Sequence, residues 1–466
     1  MRNLRLKSVK VTGLQDMFDY EISFAEAGDT VILIAPNGYG KTAFLALLDA
    51  CLRFQLLDAG EHSFKSLDVV FEDNSRWLFT KINPTAEERA DFQHVKASVR
   101  WSARRVRRRQ ALVKVEFFDQ KGKALEGKPL TSVENIPTEI LARAIDRTLP
   151  VSREGFEAFR DFERGDIVRM TEIVERYQYT LFQDDEFKEY LAQYEPGMFQ
   201  QLEARINCVF IETQRLLFTK RGRPSSEGTK EPEEEILRQA QHLGTLLKGA
   251  YANYASTSQS LDRSFPNRLI LRSESEGPRE TASLRDDLAA IERKRQNFTG
   301  AGILDEDEDY VVAPKDEFSP SVADALAIYV EDSKKKLATF DEIYPKVSVF
   351  RELISKKLSP KELIINRESG ALVRRGKVTV PLDRLSSGEK HEFIMLFRLI
   401  FETPVNSVVL IDEPEISLHV AWQLEFMSDL QRIQGANRFQ SIIATHSPQI
   451  IQGLNDIVFD LADQVK

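Results

Sequence analysis

Two groups of residues in this sequence are spaced for chemistry on a phosphate: a glycine-rich loop ending in Lys41-Thr42, and a carboxylate pair, Asp412-Glu413, closing an apolar run. The loop is Ala35-Pro36-Asn37-Gly38-Tyr39-Gly40-Lys41-Thr42. It follows the short β-branched run Thr30-Val31-Ile32-Leu33-Ile34 and precedes a helical pattern from Ala43 to Phe54. Strand, tight turn and helix in that order form an anion cradle, because the N–H groups of the turn and the helix N-terminus all present positive potential to phosphate oxygens. Within it Asn37, Gly38, Tyr39 and Gly40 shape the turn, Lys41 reaches the β- and γ-phosphates of a nucleoside triphosphate, and Thr42 ligates Mg2+. Ala35 stands where such loops usually begin with glycine. The second group, Val408-Val409-Leu410-Ile411-Asp412-Glu413-Pro414, is a buried-strand pattern ending in two acids. Asp412 is placed to hold Mg2+, and Glu413, one step on, to orient and deprotonate an attacking water. An acidic strand end before a proline is common by itself; paired with the phosphate loop it points to phosphoryl transfer.

Three further stretches gain meaning beside these. Ser386 or Ser387 in Leu385-Ser386-Ser387-Gly388-Glu389-Lys390 can cap a helix starting near Gly388. That stretch also resembles the signature motif of ABC ATPases, in which a serine hydroxyl and a helix N-terminus contact the γ-phosphate. Ala444-Thr445-His446-Ser447-Pro448 resembles their histidine switch. Gln214, in Thr213-Gln214-Arg215 after the apolar run Ile206 to Ile211, fits the glutamine that contacts Mg2+ in that superfamily; a surface glutamine is the alternative. Together with Glu413-Pro414-Glu415-Ile416-Ser417-Leu418-His419, these motifs resemble the soluble branch of ABC-type, AAA-family ATPases that contains RecF-like, Rad50-like and OLD-like heads. The resemblance implies ATP and Mg2+ as cofactors, Glu413 and His446 as catalytic residues, and a homodimer or higher assembly of dimers. In that family Ser386, Ser387 and Gly388 act on the loop of a second copy. His419 is read as structural.

The resemblance also separates neighbours within the superfamily. Transporter ATPases place the signature much nearer the phosphate loop than the about 340 residues between Thr42 and Leu385. The short stretch after Pro448 disfavours an OLD-type C-terminal nuclease, and no nuclease-like metal or nucleophile constellation is visible elsewhere in the sequence. The opening Val11-Thr12-Gly13-Leu14 with Phe18-Asp19-Tyr20, and the stretch Ser264-Phe265-Pro266-Asn267-Arg268, look most like the ATPase subunits of the PARIS anti-phage system, with Septu next. The function implied is a switch or scaffold ATPase that senses a phage trigger and controls a separate effector, a nuclease, from a neighbouring gene. The alternative is a RecF- or Rad50-like DNA repair ATPase acting directly on DNA.

These residues need elements that bring the two ends of the chain together. Strand patterns cover Leu4 to Thr12, Tyr20 to Phe24, Leu67 to Lys81, His94 to Ser102 and Ala111 to Asp119, and a helical pattern covers 153–204. From Glu233 to about Leu358 the spacing is mainly helical, interrupted by the acidic run Asp305 to Asp309. A hairpin over 361–382 turning near Ser369-Gly370 is followed by helix Gly388 to Glu402, strand Ser407 to Ile411, helix Ala421 to Ile433 and strand Ser441 to Ala444. The fold class predicted is α/β, an ABC-type ATPase head of mixed and parallel sheet with flanking helices and an inserted helical lobe or short coiled-coil stalk. The head is expected over 1–231 and 361–466, with the lobe over 232–360.

The 466 residues carry a net charge of −9, which excludes a uniformly basic nucleic-acid binder. Cys51 and Cys208 have no metal or redox spacing, as in a reducing cytoplasm. No uncharged apolar run reaches the roughly 18 residues of a membrane span, so no membrane association is expected. Against the acidic background, Arg104, Arg105, Arg107, Arg108 and Arg109 cluster between two strand patterns. They read either as a dock for an acidic ligand (DNA, a DNA-mimicking phage protein or an acidic subunit) or as a solvated hairpin protecting a strand edge.

Overall fold

The computed structural model describes residues 4–25, 27–53, 55–82, 112–124, 138–154, 158–161, 167–169, 173, 177, 184, 207–212, 232–273, 282–305 and 319–465. The chain forms two compact units: Met1–Ile211 with Pro404–Pro414 and Phe439–Lys466, and Glu212–Thr403 with Glu415–Arg438.

The first unit is organised by a five-stranded sheet in which distant segments are neighbours. Strands β3 (Thr30–Ile34), β10 (Cys208–Glu212), β14 (Val408–Asp412), β15 (Gln440–Ala444) and β16 (Val458–Asp460) lie in the order β10-β14-β15-β3-β16. The ladders β14–β15, β15–β3 and β3–β16 are parallel. A parallel sheet is covered on both faces, hence the unbroken apolar runs. Val31, Leu33, Val408, Leu410, Ile442 and Ala444 point into the main core, while Ile32, Val409, Ile411 and Ile443 on the opposite face are equally buried. Helix α1 (Lys41–Leu52) packs into the main core through Phe44, Leu45, Leu47 and Leu48, and the unit also holds α2 (Leu56–Glu61) and α3 (Thr138–Thr148).

A second sheet shares this core. It is antiparallel, in the order β2-β1-β4-β5-β6, from β1 (Leu6–Leu14), β2 (Phe18–Ser23), β4 (Ser66–Phe71), β5 (Arg76–Ile82) and β6 (Leu112–Phe118). The alternation of buried Leu67, Val69 and Phe71 with more exposed partners is what a sheet with one covered face requires. The buried Gln440 amide joins the sheets, accepting from Leu6 N–H at 2.7 Å and donating to Leu6 C=O at 3.0 Å.

The second unit is mostly helical. Helix α4 (Pro232–Ser273) has 42 residues, about 63 Å at 1.5 Å per residue, and α5 (Ala282–Gly300), α6 (Pro320–Ala338) and α7 (Ile343–Leu358) accompany it. A three-stranded sheet, β11 (Glu362–Asn366), β12 (Gly370–Arg375) and β13 (Val378–Val380), lies against α4. At Gly370 (φ +74°) a Cβ would sit 1.7 Å from the Ala240 carbonyl oxygen, so only glycine lets the hairpin turn meet the helix backbone. Helix α8 (Ser387–Phe397) continues as a π-helical turn, Arg398–Glu402, and α9 (Val420–Asn437) completes the unit.

The lobe's helical pattern holds, as do the strands and helices flanking the phosphate loop and the carboxylate pair, with ends shifted by a few residues. The helical reading of 153–204 fails over its first part, where β7 (Val151–Arg153), β8 (Ala158–Asp161) and β9 (Ile167–Arg169) form an antiparallel sheet; past Arg169 the only described residues of that stretch are Ile173 and Tyr177, which are helical, and Asp184. Charged residues between short apolar pairs obscured a period of two. The hairpin over 361–382 gains β13 as a third strand. The strand expected over His94 to Ser102 lies outside the described residues, as do Gln214 and Arg104 to Arg109.

Candidate active site

Register places three loops at one edge of the parallel sheet. Asp412 pairs with Ala444, and Ala444 with Leu33, so the segments after β3, β14 and β15 leave the sheet side by side. The carboxyl ends of parallel strands are where such sheets bind ligands. The first segment is the phosphate loop. Gly38 (φ +90°) and Gly40 (φ +75°) take left-handed backbone, and Gly40 is the N-cap of α1. A Cβ at Gly38 would meet nothing within 4 Å, which leaves that turn open to an approaching anion.

The loop is braced from the antiparallel sheet. The Tyr20 hydroxyl donates to the Tyr39 carbonyl at 2.7 Å, and the Phe18 ring stacks on Tyr20 and Tyr39 with centroids 5.6 and 5.8 Å apart. Burial pushes the Tyr20 hydroxyl up to about 12, so it remains a donor. Sequence reasoning missed this brace. Its signal was the alternation that turns Phe18 and Tyr20 inward along β2.

Lys41 is 6% exposed, and its ammonium donates to the Ala35 carbonyl at 2.8 Å. Its Nζ also lies 2.7 Å from His446 Nε2. A lysine from the first loop and a histidine from the third, 405 positions apart, are thus in direct contact. His446 is held at the sheet edge by its neighbours: Thr445 N–H donates to Leu33 C=O at 3.1 Å, and Ser447 N–H donates to the Thr445 hydroxyl at 3.0 Å.

The second loop carries the acids. Asp412 is 8% exposed at the last position of β14. Glu413 follows with φ +49°, a left-handed conformation that is strained for a residue with a side chain, and its N–H donates to Ala444 C=O at 2.8 Å. The backbone therefore turns sharply after Asp412, so the two acids lie on either side of a bend. Thr42 is exposed at the start of α1, so its hydroxyl is accessible. A hydroxyl and a carboxylate are hard oxygen ligands suited to Mg2+, which takes few protein ligands and completes its shell with phosphate oxygens and water. The residues present fit ATP and Mg2+.

The signature-like turn belongs to the second unit. Ser386 is the N-cap of α8: its hydroxyl accepts from Glu389 N–H at 3.4 Å, while Ser386 N–H donates to the Glu389 carboxylate at 2.9 Å. Ser386 and Ser387 are exposed and Gly388 partly so. His419 caps α9, its Nδ1 accepting from Ala421 N–H at 3.3 Å. Arg268, in the stretch around Pro266, makes a two-pronged ion pair with Asp332 at 2.5 and 2.7 Å and donates to Leu261 C=O at 2.9 Å. Those bonds explain the arginine as a clamp between α4 and α6.

The AAA ATPase domain family matches residues 5–451, nearly the whole chain and all three loops. The chain belongs to that family. Membership carries the family's ATPase domain, so the chain is an ATP hydrolase. Protein ea59 of Escherichia phage lambda is 38% identical over 69 residues, 15% of this chain. The match spans 13% of that protein's length. Among solved structures, the Smc head bound to the C-winged helix domain of ScpA is 11% identical with a TM-score of 0.33. An Smc head with an extended coiled coil, bound to the C-terminal domain of ScpA from Pyrococcus furiosus, is 13% identical with a TM-score of 0.31. Each covers 96% of this chain and 91% of the other. These superpositions are loose, and the fold stands on the sheet order and register above. No described helix is long and apolar enough to cross a membrane.

Proposed function

We propose that this chain is an ABC-type Mg-ATP hydrolase that works as a nucleotide-gated switch. Lys41 and the turn N–H groups bind the phosphates, Thr42 and Asp412 hold Mg2+, Glu413 activates water and His446 senses the γ-phosphate. The observation that carries this reading is the contact of Lys41 with both Ala35 and His446, at the sheet edge where β14 delivers Asp412 and Glu413. Gln214 joins the Mg2+ site in this proposal. Ser386, Ser387 and Gly388 complete the site of a second copy, so ATP is sandwiched in a homodimer or an assembly of dimers.

The switch role is the sensing of a phage trigger and control of a separate nuclease effector, in a cytoplasmic defence system of the PARIS or Septu kind. It rests on the resemblance of Val11 to Tyr20 and Ser264 to Arg268 to such ATPase subunits. The competing reading, a RecF- or Rad50-like ATPase acting on DNA, draws on the arginine cluster Arg104 to Arg109.

Lys41→Ala is expected to abolish ATP binding, and Glu413→Gln to keep binding while hydrolysis falls about 10² to 10⁴-fold. Hydrolysis by Glu413→Gln at the wild-type rate would overturn the assignment. Mixing Lys41→Ala with Ser386→Arg chains should restore one competent site per dimer; full activity from a strict monomer would defeat the sandwich. Co-purification with the neighbouring gene product supports the switch, whereas strong DNA stimulation without such a partner supports the repair reading.

A further inference from the structure

The signature-like turn is neutralised by a cation remote from it in sequence. Lys361, one residue before β11, places its Nζ 2.6 and 2.8 Å from the two Glu389 carboxylate oxygens. The Glu389 carboxylate also accepts from the Ser386 N–H and hydroxyl, each at 2.9 Å. Burial acts to raise the Glu389 pKa, but the Lys361 ion pair and the Ser386 hydrogen bonds outweigh it and hold the group below the usual range. Glu389 is therefore an anion in the first turn of the same helix whose N-terminus would meet a γ-phosphate.

That placement sets up a conflict. A helix N-terminus attracts phosphate, yet a carboxylate in its first turn opposes a second anion. An ammonium on both carboxylate oxygens removes the opposition and keeps the cap that fixes the serine. We propose that Lys361 is a positioning residue for nucleotide engagement: by cancelling the Glu389 charge it lets the Ser386-Ser387-Gly388 turn accept the γ-phosphate of ATP held by a second copy. The inference rests on the trans-acting signature proposed above. Lys361 touches neither nucleotide nor water in this role.

The test uses the full-length chain and four variants: Lys361→Met, Lys361→Arg, Glu389→Gln and the double Lys361→Met/Glu389→Gln. Two readouts separate the steps: ATP-analogue binding at protein concentrations too low for dimers, and the protein concentration giving half-maximal ATPase. In Lys361→Met, analogue binding stays as in wild type, while the half-maximal protein concentration rises about tenfold, the effect of one uncancelled charge at a half-buried site. That rise shrinks as salt is increased, because screening weakens the repulsion. Lys361→Arg retains wild-type behaviour. Adding Glu389→Gln to Lys361→Met reverses the defect, since no anion then remains to cancel. A Lys361 that merely ties β11 to α8 would give a salt-insensitive defect that Glu389→Gln does not repair, and either result overturns the proposal. Should Lys361→Met fail to fold, Glu389→Gln alone decides: engagement equal to or tighter than wild type supports the proposal, and a tenfold loss overturns it. Ser386→Arg separates the layers. Full ATPase in that variant removes the trans-acting signature itself, whereas its inactivity together with wild-type engagement by Lys361→Met removes only the role given to Lys361.

Discussion

Lys357→Met should expose how the second unit is pinned. Lys357, in the last turn of α7, has its ammonium 3.0 Å from Glu392 on α8 and 2.9 Å from Asp429 on α9. The three side chains are 3, 3 and 8% exposed, so water contributes little. Burial acts to lower the Lys357 pKa, but the two carboxylates outweigh it and the group is held above its usual value. It is charged through the neutral range, and its stabilising effect is lost only as pH climbs through that raised value. Methionine keeps most of the volume and removes the charge, leaving two buried carboxylates facing each other. Breaking a buried pair in this way costs about 3–5 kcal/mol. For a unit of about 200 residues this corresponds to a Tm lower by about 10 °C.

The pH dependence carries its own sign. Burial raises the Glu392 pKa even with Lys357 present, and losing the ammonium raises it further. A carboxyl whose folded pKa exceeds its unfolded value binds its proton more tightly in the fold. Its penalty therefore vanishes below the unfolded value and grows as pH rises toward the folded one. The loss in Lys357→Met should be smaller at pH 5 than at pH 8, and Lys357→Met/Glu392→Leu/Asp429→Leu should recover most of it. Thermal unfolding followed by near-UV circular dichroism from pH 5 to pH 8 measures this. A Tm within about 2 °C of wild type, or a greater loss at pH 5 than at pH 8, would refute the reasoning.

Three other outcomes are expected. Gly370→Ala should destabilise the protein far more than Gly376→Ala, because its Cβ would press on Ala240 O at 1.7 Å whereas at Gly376 (φ +61°) nothing lies within 4 Å; equal melting temperatures would contradict the close approach. Tyr20→Phe removes the hydrogen bond to Tyr39 C=O and should weaken ATP binding about fivefold by loosening the loop, read by nucleotide titration; unchanged affinity would make the brace irrelevant to binding. Replacing Arg104, Arg105, Arg107, Arg108 and Arg109 with serine should abolish salt-sensitive binding of DNA or an acidic DNA-mimicking protein and spare basal ATPase, whereas unchanged affinity would return the stretch to an edge-protecting role.

The phosphate loop was legible because its physics is local. Strand, glycine turn and helix are contiguous, and a loop needing left-handed backbone at Gly38 and Gly40 must carry glycine there. The apolar runs of β3, β14 and β15 announced a parallel sheet, since a strand covered on both faces has no polar side to alternate. The acids at the end of β14 and the Ser386 cap could be read for the same local reason. Sheet β7-β8-β9 was misread because charged positions within very short strands leave no period to detect.

What the sequence by itself determined is the chemistry available: a lysine and a threonine after a glycine turn, two acids after an apolar strand, and a histidine after another. Which of these groups meet was decided by the tertiary structure. Ladder register brings Leu33, Asp412 and Ala444 level and lets Lys41 touch His446 across 405 positions. The Tyr20 brace, the Lys361–Glu389 pair and the Lys357 triad likewise join side chains from separate elements. A charged or aromatic residue in sequence announces only that it needs a partner when buried; the packing of distant elements selects which partner it receives.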